Sequence, residues 1–152
     1  MLTGALPAFK SVTEYLSWDH DRLDALLESV RSAVERRDWD AARRYFHDFQ
    51  GGLDRHIRLE EEILFPRFEQ STGRTDPTAV LRREHERIRA ALDLLARALD
   101  QGEGREFRVG LASLLTVLPD HNVKEEQVLY PATDAALSED ECRALTTRLQ
   151  EA

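Results

Sequence analysis

The sequence predicts an all-α protein, an up-down-up-down four-helix bundle followed by a short C-terminal helix. Three observations predict it. Apolar residues recur in alternating steps of four and three along four separate stretches, the spacing of one helix face. Capping or breaking residues punctuate the stretches. The connections between them are short, which places successive helices side by side and antiparallel.

Residues 1–10 read as an N-terminal arm, with Pro7 preventing an early helix. Ser11-Val12-Thr13-Glu14 has the form of a capping box and opens the bundle, which spans 11–137. The first stripe is Leu16, His20, Leu23, Leu27, Val30 and Val34, so His20 points inward. Asp38 is a cap for the second helix, whose stripe runs Ala42, Phe46, Phe49, Leu53, His56, Glu60 and Ile63. That helix should bend or end near Pro66 and close at Ser71-Thr72-Gly73. Asp76-Pro77 reads as an N-cap with proline at the first helical position. The third stripe is Leu81, His85, Ile88, Leu92, Leu95 and Leu99, ended by Gln101-Gly102-Glu103-Gly104. The fourth is Phe107, Leu111, Leu114, Leu118, His121, Glu125 and Val128, with a kink or a frayed hydrogen bond expected at Pro119. Ser138-Glu139-Asp140-Glu141 is another capping box and opens a C-terminal helix within 138–152.

A chain of 152 residues suits one domain with a substantial core. The net charge of −8, with arginines interspersed among acids, argues against a nucleic-acid partner. No stretch approaches the ~18 apolar residues of a membrane span, and the first ten residues lack the form of a secretion signal. The single Cys142 cannot form an internal disulfide, which fits a reducing cytoplasm.

A duplication runs through the chain at an offset of 65 residues. Leu16 pairs with Leu81, His20 with His85, Leu23 with Ile88 and His56 with His121. Glu60 pairs with Glu125, Leu64 with Leu129, Phe65 with Tyr130 and Pro66 with Pro131. Each half is a helical hairpin with an inward histidine on its first helix and His-x-x-x-Glu on its second. Residues four apart stack on one helix face, so each second helix aims an imidazole and a carboxylate at one point.

His20, His56, Glu60, His85, His121 and Glu125 are therefore six polar groups directed into an apolar interior. A lone inward histidine is usually a satisfied core residue, and a lone H-x-x-x-E is common on charged helices. Six in stripe register, repeated at one offset, point to a metal site; a histidine–carboxylate hydrogen-bond network is the alternative. Imidazole and carboxylate suit Fe, Mn or Zn, and a single zinc ion would leave two of the six idle. Two ions divide the set: His20 and His56 on one, His85 and His121 on the other, Glu60 and Glu125 bridging. That division leaves room for an oxo or hydroxo bridge and an open position.

The pattern H…HxxxE…H…HxxxE, with endings Ile63-Leu64-Phe65-Pro66 and Val128-Leu129-Tyr130-Pro131, resembles the hemerythrin-like (HHE cation-binding) domain over residues of about 12 to 135. The resemblance implies a hemerythrin-like bundle holding two non-haem Fe ions that bind O2, NO or peroxide. Oxygen-carrying hemerythrin has a second histidine on its third helix, where this chain has Arg89. Its last carboxylate is an Asp five residues after the histidine, where this chain has Glu125 at four. The set of four His and two Glu is more similar to bacterial members, including proteins linked to repair of iron centres.

Gly52 lies one turn before His56 and serves either close helix packing or space for a diatomic ligand above one ion. Phe49 and Leu114 would wall an apolar pocket. Asp24 and Arg89 are repeat partners; surface placement is the simpler reading, with support of the bridging carboxylates, or direct metal binding by Asp24, as alternatives. His47 falls off the stripe and reads as a surface residue, Cys142 as inert packing, and Trp18 and Trp39 as packing at hairpin ends. Exposed carboxylates such as Glu61 and Glu62 could guide ions.

The function expected is sensing, scavenging or detoxification of O2, NO or peroxide at two irons. Iron storage or delivery, iron-centre repair, and a structural bundle with a vestigial site are the other classes. No general acid or base stands beside the candidate ligands, so no catalytic residue is assigned, and no protein partner is legible.

Overall fold

The computed structural model describes residues 8–152, so most of the expected arm lies outside the described residues. Helix α1 spans Val12–Glu35 and α2 Trp39–Leu59, and a π-helical turn, Glu60–Leu64, leads into α3, Phe65–Thr72. The second half repeats the plan with α4 Asp76–Gln101, α5 Gly104–Lys124, a π-helical turn Glu125–Leu129 and α6 Tyr130–Ala135. Helix α7 covers Glu139–Glu151. The described chain contains no strand, and the all-α four-helix bundle predicted from periodicity is the architecture observed.

Local chemistry sets the helix ends. Glu14 N–H donates to Ser11 Oγ at 3.1 Å and Ala41 N–H to Asp38 Oδ1 at 3.1 Å, as the caps require. Both bonds of the Ser138–Glu141 capping box are present. Gly73 and Gly102 end α3 and α4 with φ of 70° and 64°, left-handed values that favour glycine. Asp134, at the end of α6, accepts the backbone N–H groups of Val12 and Thr13 at 3.0 Å each, tying the last helix of the bundle to the start of the first. Helix α4 begins at Asp76, one residue earlier than expected, with Thr75 before it making no side-chain cap bond.

The prolines do not end the helices that carry them. Helix α5 runs on through Pro119, and the irregularity comes later, at Glu125–Leu129. There Tyr130 N–H reaches back five residues to Glu125 O, as Phe65 N–H does to Glu60 O. Pro66 and Pro131 follow at once. A proline ring clashes with the carbonyl four residues back, and a wider π turn just before it relieves that crowding. Each turn absorbs one extra residue, so the apolar stripe shifts by one. Ile63 and Val128 were expected inside. Ile63 is only half-buried and Val128 is 55% exposed, while Leu64 and Leu129 take the interior places.

Apolar residues form two clusters. Leu23, Leu53, Ile57, Ile88 and Leu118 belong to a large core reaching the α1–α2 and α4–α5 connections. Leu16, Leu64, Phe65, Leu81, Leu129 and Tyr130 belong to a second, closed over by Leu145 and Leu149 of α7. The six polar candidates lie in the layer between them. Gly102 meets the indole of Trp39 at the far end of the bundle, whereas Trp18 packs with Phe9 and Tyr15 near the polar layer.

Candidate metal centre

His20, His56, Glu60, His85, His121 and Glu125 are all buried, none more than 3% exposed. They converge in two groups, and within each group one donor atom per residue lies within 4.8 Å of the others. His20, His56, Glu60 and Glu125 form the first group; Glu60, His85, His121 and Glu125 form the second. The carboxylates belong to both. Glu60 turns Oε2 toward His56 Nε2 at 3.4 Å and Oε1 toward His85 Nε2 at 3.1 Å. Glu125 turns Oε1 toward His20 Nε2 at 3.2 Å and Oε2 toward His121 Nε2 at 3.2 Å.

Every imidazole is oriented by a carboxylate behind it. His56 Nδ1 bonds Asp19 at 2.8 Å, His20 Nδ1 bonds Glu126 at 2.6 Å, His85 Nδ1 bonds Glu61 at 2.8 Å and His121 Nδ1 bonds Glu84 at 2.9 Å. An ionised carboxylate only accepts, so Nδ1 carries the proton and, in the neutral ring, the Nε2 lone pair faces inward. This is the arrangement that presents histidine to a metal. The four supports obey the 65-residue offset too: Asp19 pairs with Glu84 and Glu61 with Glu126. Each support comes from a helix other than that of its histidine. Sequence reading missed all four as supports and took Glu61 for an exposed guide of ions. The signal was there: an acid precedes His20 and His85, and a second Glu follows Glu60 and Glu125.

Cations anchor three of the supports. Arg22 Nε donates to Asp19 at 2.8 Å, Arg89 Nη1 to Glu61 at 3.3 Å, and Lys124 Nζ to Glu84. Six carboxylates thus face three fixed cations, which leaves the layer short of positive charge when its imidazoles are neutral. Burial pushes Glu60 up, but His56 and His85 beside it hold the carboxyl well below its usual range. Burial likewise opposes charge on His56, yet Glu60 and Asp19 carry its pKa well above the ordinary value. Glu60 Oε1, His85 Nε2 and Glu125 Oε2 are buried with no hydrogen-bond partner. All three belong to the second group, and a cation would satisfy them together.

One residue enters the centre unannounced by periodicity. Tyr130, fully buried, places its hydroxyl 2.6 Å from Glu60 Oε2 and 3.0 Å from Glu125 Oε1. The same oxygen is 3.2 Å from His56 Nε2 and 3.3 Å from His20 Nε2. Burial, then the nearness of Glu125 and Glu60, raises its pKa well above that of a free phenol. In the first half its repeat partner Phe65 stacks on His85, rings 5.6 Å apart and 10° from parallel.

Other expectations resolve plainly. A Cβ on Gly52 would lie 2.7 Å from Leu23 Cδ2 and 3.1 Å from Arg22 Nη2, so this glycine serves the close approach of α1 and α2, not ligand space. Phe49 and Leu114 are fully buried in the apolar core. Asp24 and His47 are surface residues. Cys142 is buried, its thiol donating to Asp134 O at 3.3 Å.

The fold and this layer define a metal-binding four-helix bundle. Residues 11–133 match the hemerythrin HHE cation-binding domain, and the chain belongs to that family. It is 30% identical over 115 residues to an uncharacterized protein of Mycobacterium tuberculosis, covering 72% of this chain and 43% of that one. It is 27% identical over 130 residues to an uncharacterized hemerythrin-like protein of Schizosaccharomyces pombe, covering 86% of this chain and 63% of the relative. A protein named DNA nickase from Nostoc is 24% identical over 142 residues, 93% of this chain and 39% of that protein. The chain thus spans less than two thirds of the length of these relatives. No solved structure matches it. No described helix is long and apolar enough to cross a membrane.

Proposed function

We propose that this chain is a non-haem di-iron protein that binds or reacts with O2, NO or peroxide, serving in sensing, scavenging or detoxification. His20, His56, Glu60, His85, His121 and Glu125 would hold two ions, with both glutamates shared between them. The observation supporting this reading is that each shared carboxylate points one oxygen at each histidine pair. The donors are imidazole and carboxylate, with no thiolate near, which favours iron or manganese over soft-metal sites. Four imidazoles and two shared carboxylates leave two such ions under-coordinated, and bound iron would supply one-electron redox chemistry and a place for a small ligand.

The protein's part is to hold and shield that pair. Asp19, Glu61, Glu84 and Glu126 keep the imidazoles in the coordinating tautomer and raise their basicity. The apolar clusters above and below exclude bulk water and favour a neutral diatomic over larger anions. We place the unit at residues 11–137 in a reducing cytoplasm, where Cys142 stays a free thiol.

Metal analysis and absorption spectra of freshly purified protein test this, before and after NO and peroxide. Two irons per chain and a spectral response to either ligand support it. A colourless, metal-free protein of unchanged stability overturns it, and many irons per chain would indicate storage instead.

A further inference from the structure

The two sides of the centre differ at one atom. On the first side, all four inward donor atoms, His20 Nε2, His56 Nε2, Glu60 Oε2 and Glu125 Oε1, lie within 3.3 Å of Tyr130 OH. A phenol has one proton to donate and cannot satisfy two carboxylates as a donor at once. The hydroxyl therefore sits in this cage as one more donor atom beside four others. Spacings of this kind suit neighbouring ligands of a common ion, since ligands about 2.1 Å from an octahedral ion are about 3 Å apart along each edge. On the second side Phe65 offers no oxygen, and the three unpartnered polar atoms collect there.

The π turn makes this possible. In a regular helix, residue 130 would point well away from residue 125, but the turn over Glu125–Leu129 brings both onto one face. The same turn aims Phe65 inward, so the asymmetry is a choice of side chain at equivalent positions, not of backbone.

We infer that the Tyr130 phenol oxygen is a protein ligand to the ion held by His20 and His56, which together with an oxo or hydroxo bridge closes that ion and leaves the one at His85 and His121 to receive the exogenous ligand. This rests on the two-ion reading above. The ion takes the place of the phenol proton, which is released to solvent. The pseudo-symmetric cage becomes one closed and one open position, with NO or azide binding once per chain.

Resonance Raman spectroscopy of the ferric protein reads this directly, with iron content measured on the same samples. Wild type should show tyrosine ring modes enhanced within a phenolate-to-iron charge-transfer band. Tyr130→Phe should keep two irons, lose those modes, and bind a second azide. Phenylalanine is already accommodated at the equivalent Phe65. If that variant fails to fold, Tyr15→Phe with Tyr45→Phe leaves Tyr130 as the last of the three tyrosines and must retain the modes. Tyr15 bonds Arg55 and Tyr45 is exposed, so neither belongs to the centre. Two irons without ring modes in wild type overturn the assignment while leaving the di-iron reading intact. Ring modes with a single iron would sustain Tyr130 as a ligand but overturn the di-iron reading and with it the open second position; absence of iron overturns both.

Discussion

Arg89 and Asp24 hold equivalent places in the two hairpins, four residues beyond His85 and His20, yet Arg89 anchors Glu61 at 3.3 Å while Asp24 stays at the surface. The carboxylate behind His85 is thus neutralised by a cation. The one behind His20, Glu126, has Asp24 as a charged neighbour, and partial desolvation with the like charges of Asp21 and Glu126 raises the Asp24 carboxyl despite the pull of His20. With Arg22 alone on the first side against Arg89 and Lys124 on the second, this places more negative charge around the first histidine pair than around the second.

Removing Glu61 should therefore affect one ion more than the other. Glu61→Ala is expected to weaken binding at His85 and His121 by roughly 10–100-fold, the usual cost of losing a carboxylate behind a metal-bound histidine. Arg89→Ala should have a smaller effect, because the arginine is 39% exposed and water screens its charge. Competition titrations with a chelator, resolving two binding steps, measure both.

Glu60 faces both histidine pairs with one oxygen each. Glu60→Ala should lose two ions per chain rather than one. Metal content after gel filtration decides it: a tightly retained single ion would rule out a shared carboxylate.

The adjacent glycines of α2 should respond in opposite directions. A Cβ on Gly51 would meet nothing within 4 Å, and Gly51→Ala should stabilise the protein by about 0.5–1 kcal/mol through helix propensity. Gly52→Leu drives a side chain into Leu23 and Arg22 and should cost about 1–3 kcal/mol or more through overpacking. Since Arg22 anchors Asp19 behind His56, the damage should reach the first ion before the second. Denaturation midpoints and stepwise metal titration of the two variants check this.

The metal-free protein should lose stability toward alkaline pH. Burial opposes charge on His121, but Glu125, Glu60 and Glu84 raise its pKa from 6.5 to about 9. A pKa raised on folding contributes stability in full below the unfolded value of 6.5, and that contribution fades as pH rises through about 9. Urea melts of chelator-treated protein on either side of this window should show the drop. Metal-loaded protein should not, because the ion takes the Nε2 lone pair and keeps the imidazole neutral throughout.

How much of this was legible beforehand follows from the range of each interaction. Helix caps are contacts across three residues, so Ser11, Asp38 and Ser138 could be read directly. Stripe positions were right until the π turns, where one extra residue moved Ile63 and Val128 off the interior face. A proline was visible at Pro66 and Pro131; that the helix would widen before it, rather than break at it, was not.

Local spacing determined most of the centre. The four-and-three periodicity specified an all-α bundle, and the 65-residue offset nominated His20, His56, Glu60, His85, His121 and Glu125, because a helix fixes which residues share a face. The tertiary structure decided what surrounds them. Asp19, Glu61, Glu84 and Glu126 each reach across to a histidine on another helix, Gly52 owes its place to Leu23 on α1, and Tyr130 enters the cage through a π turn and contact with all four inward donors. Those relations depend on how helices cross and where one turn widens, and neither is encoded in the spacing along a single helix.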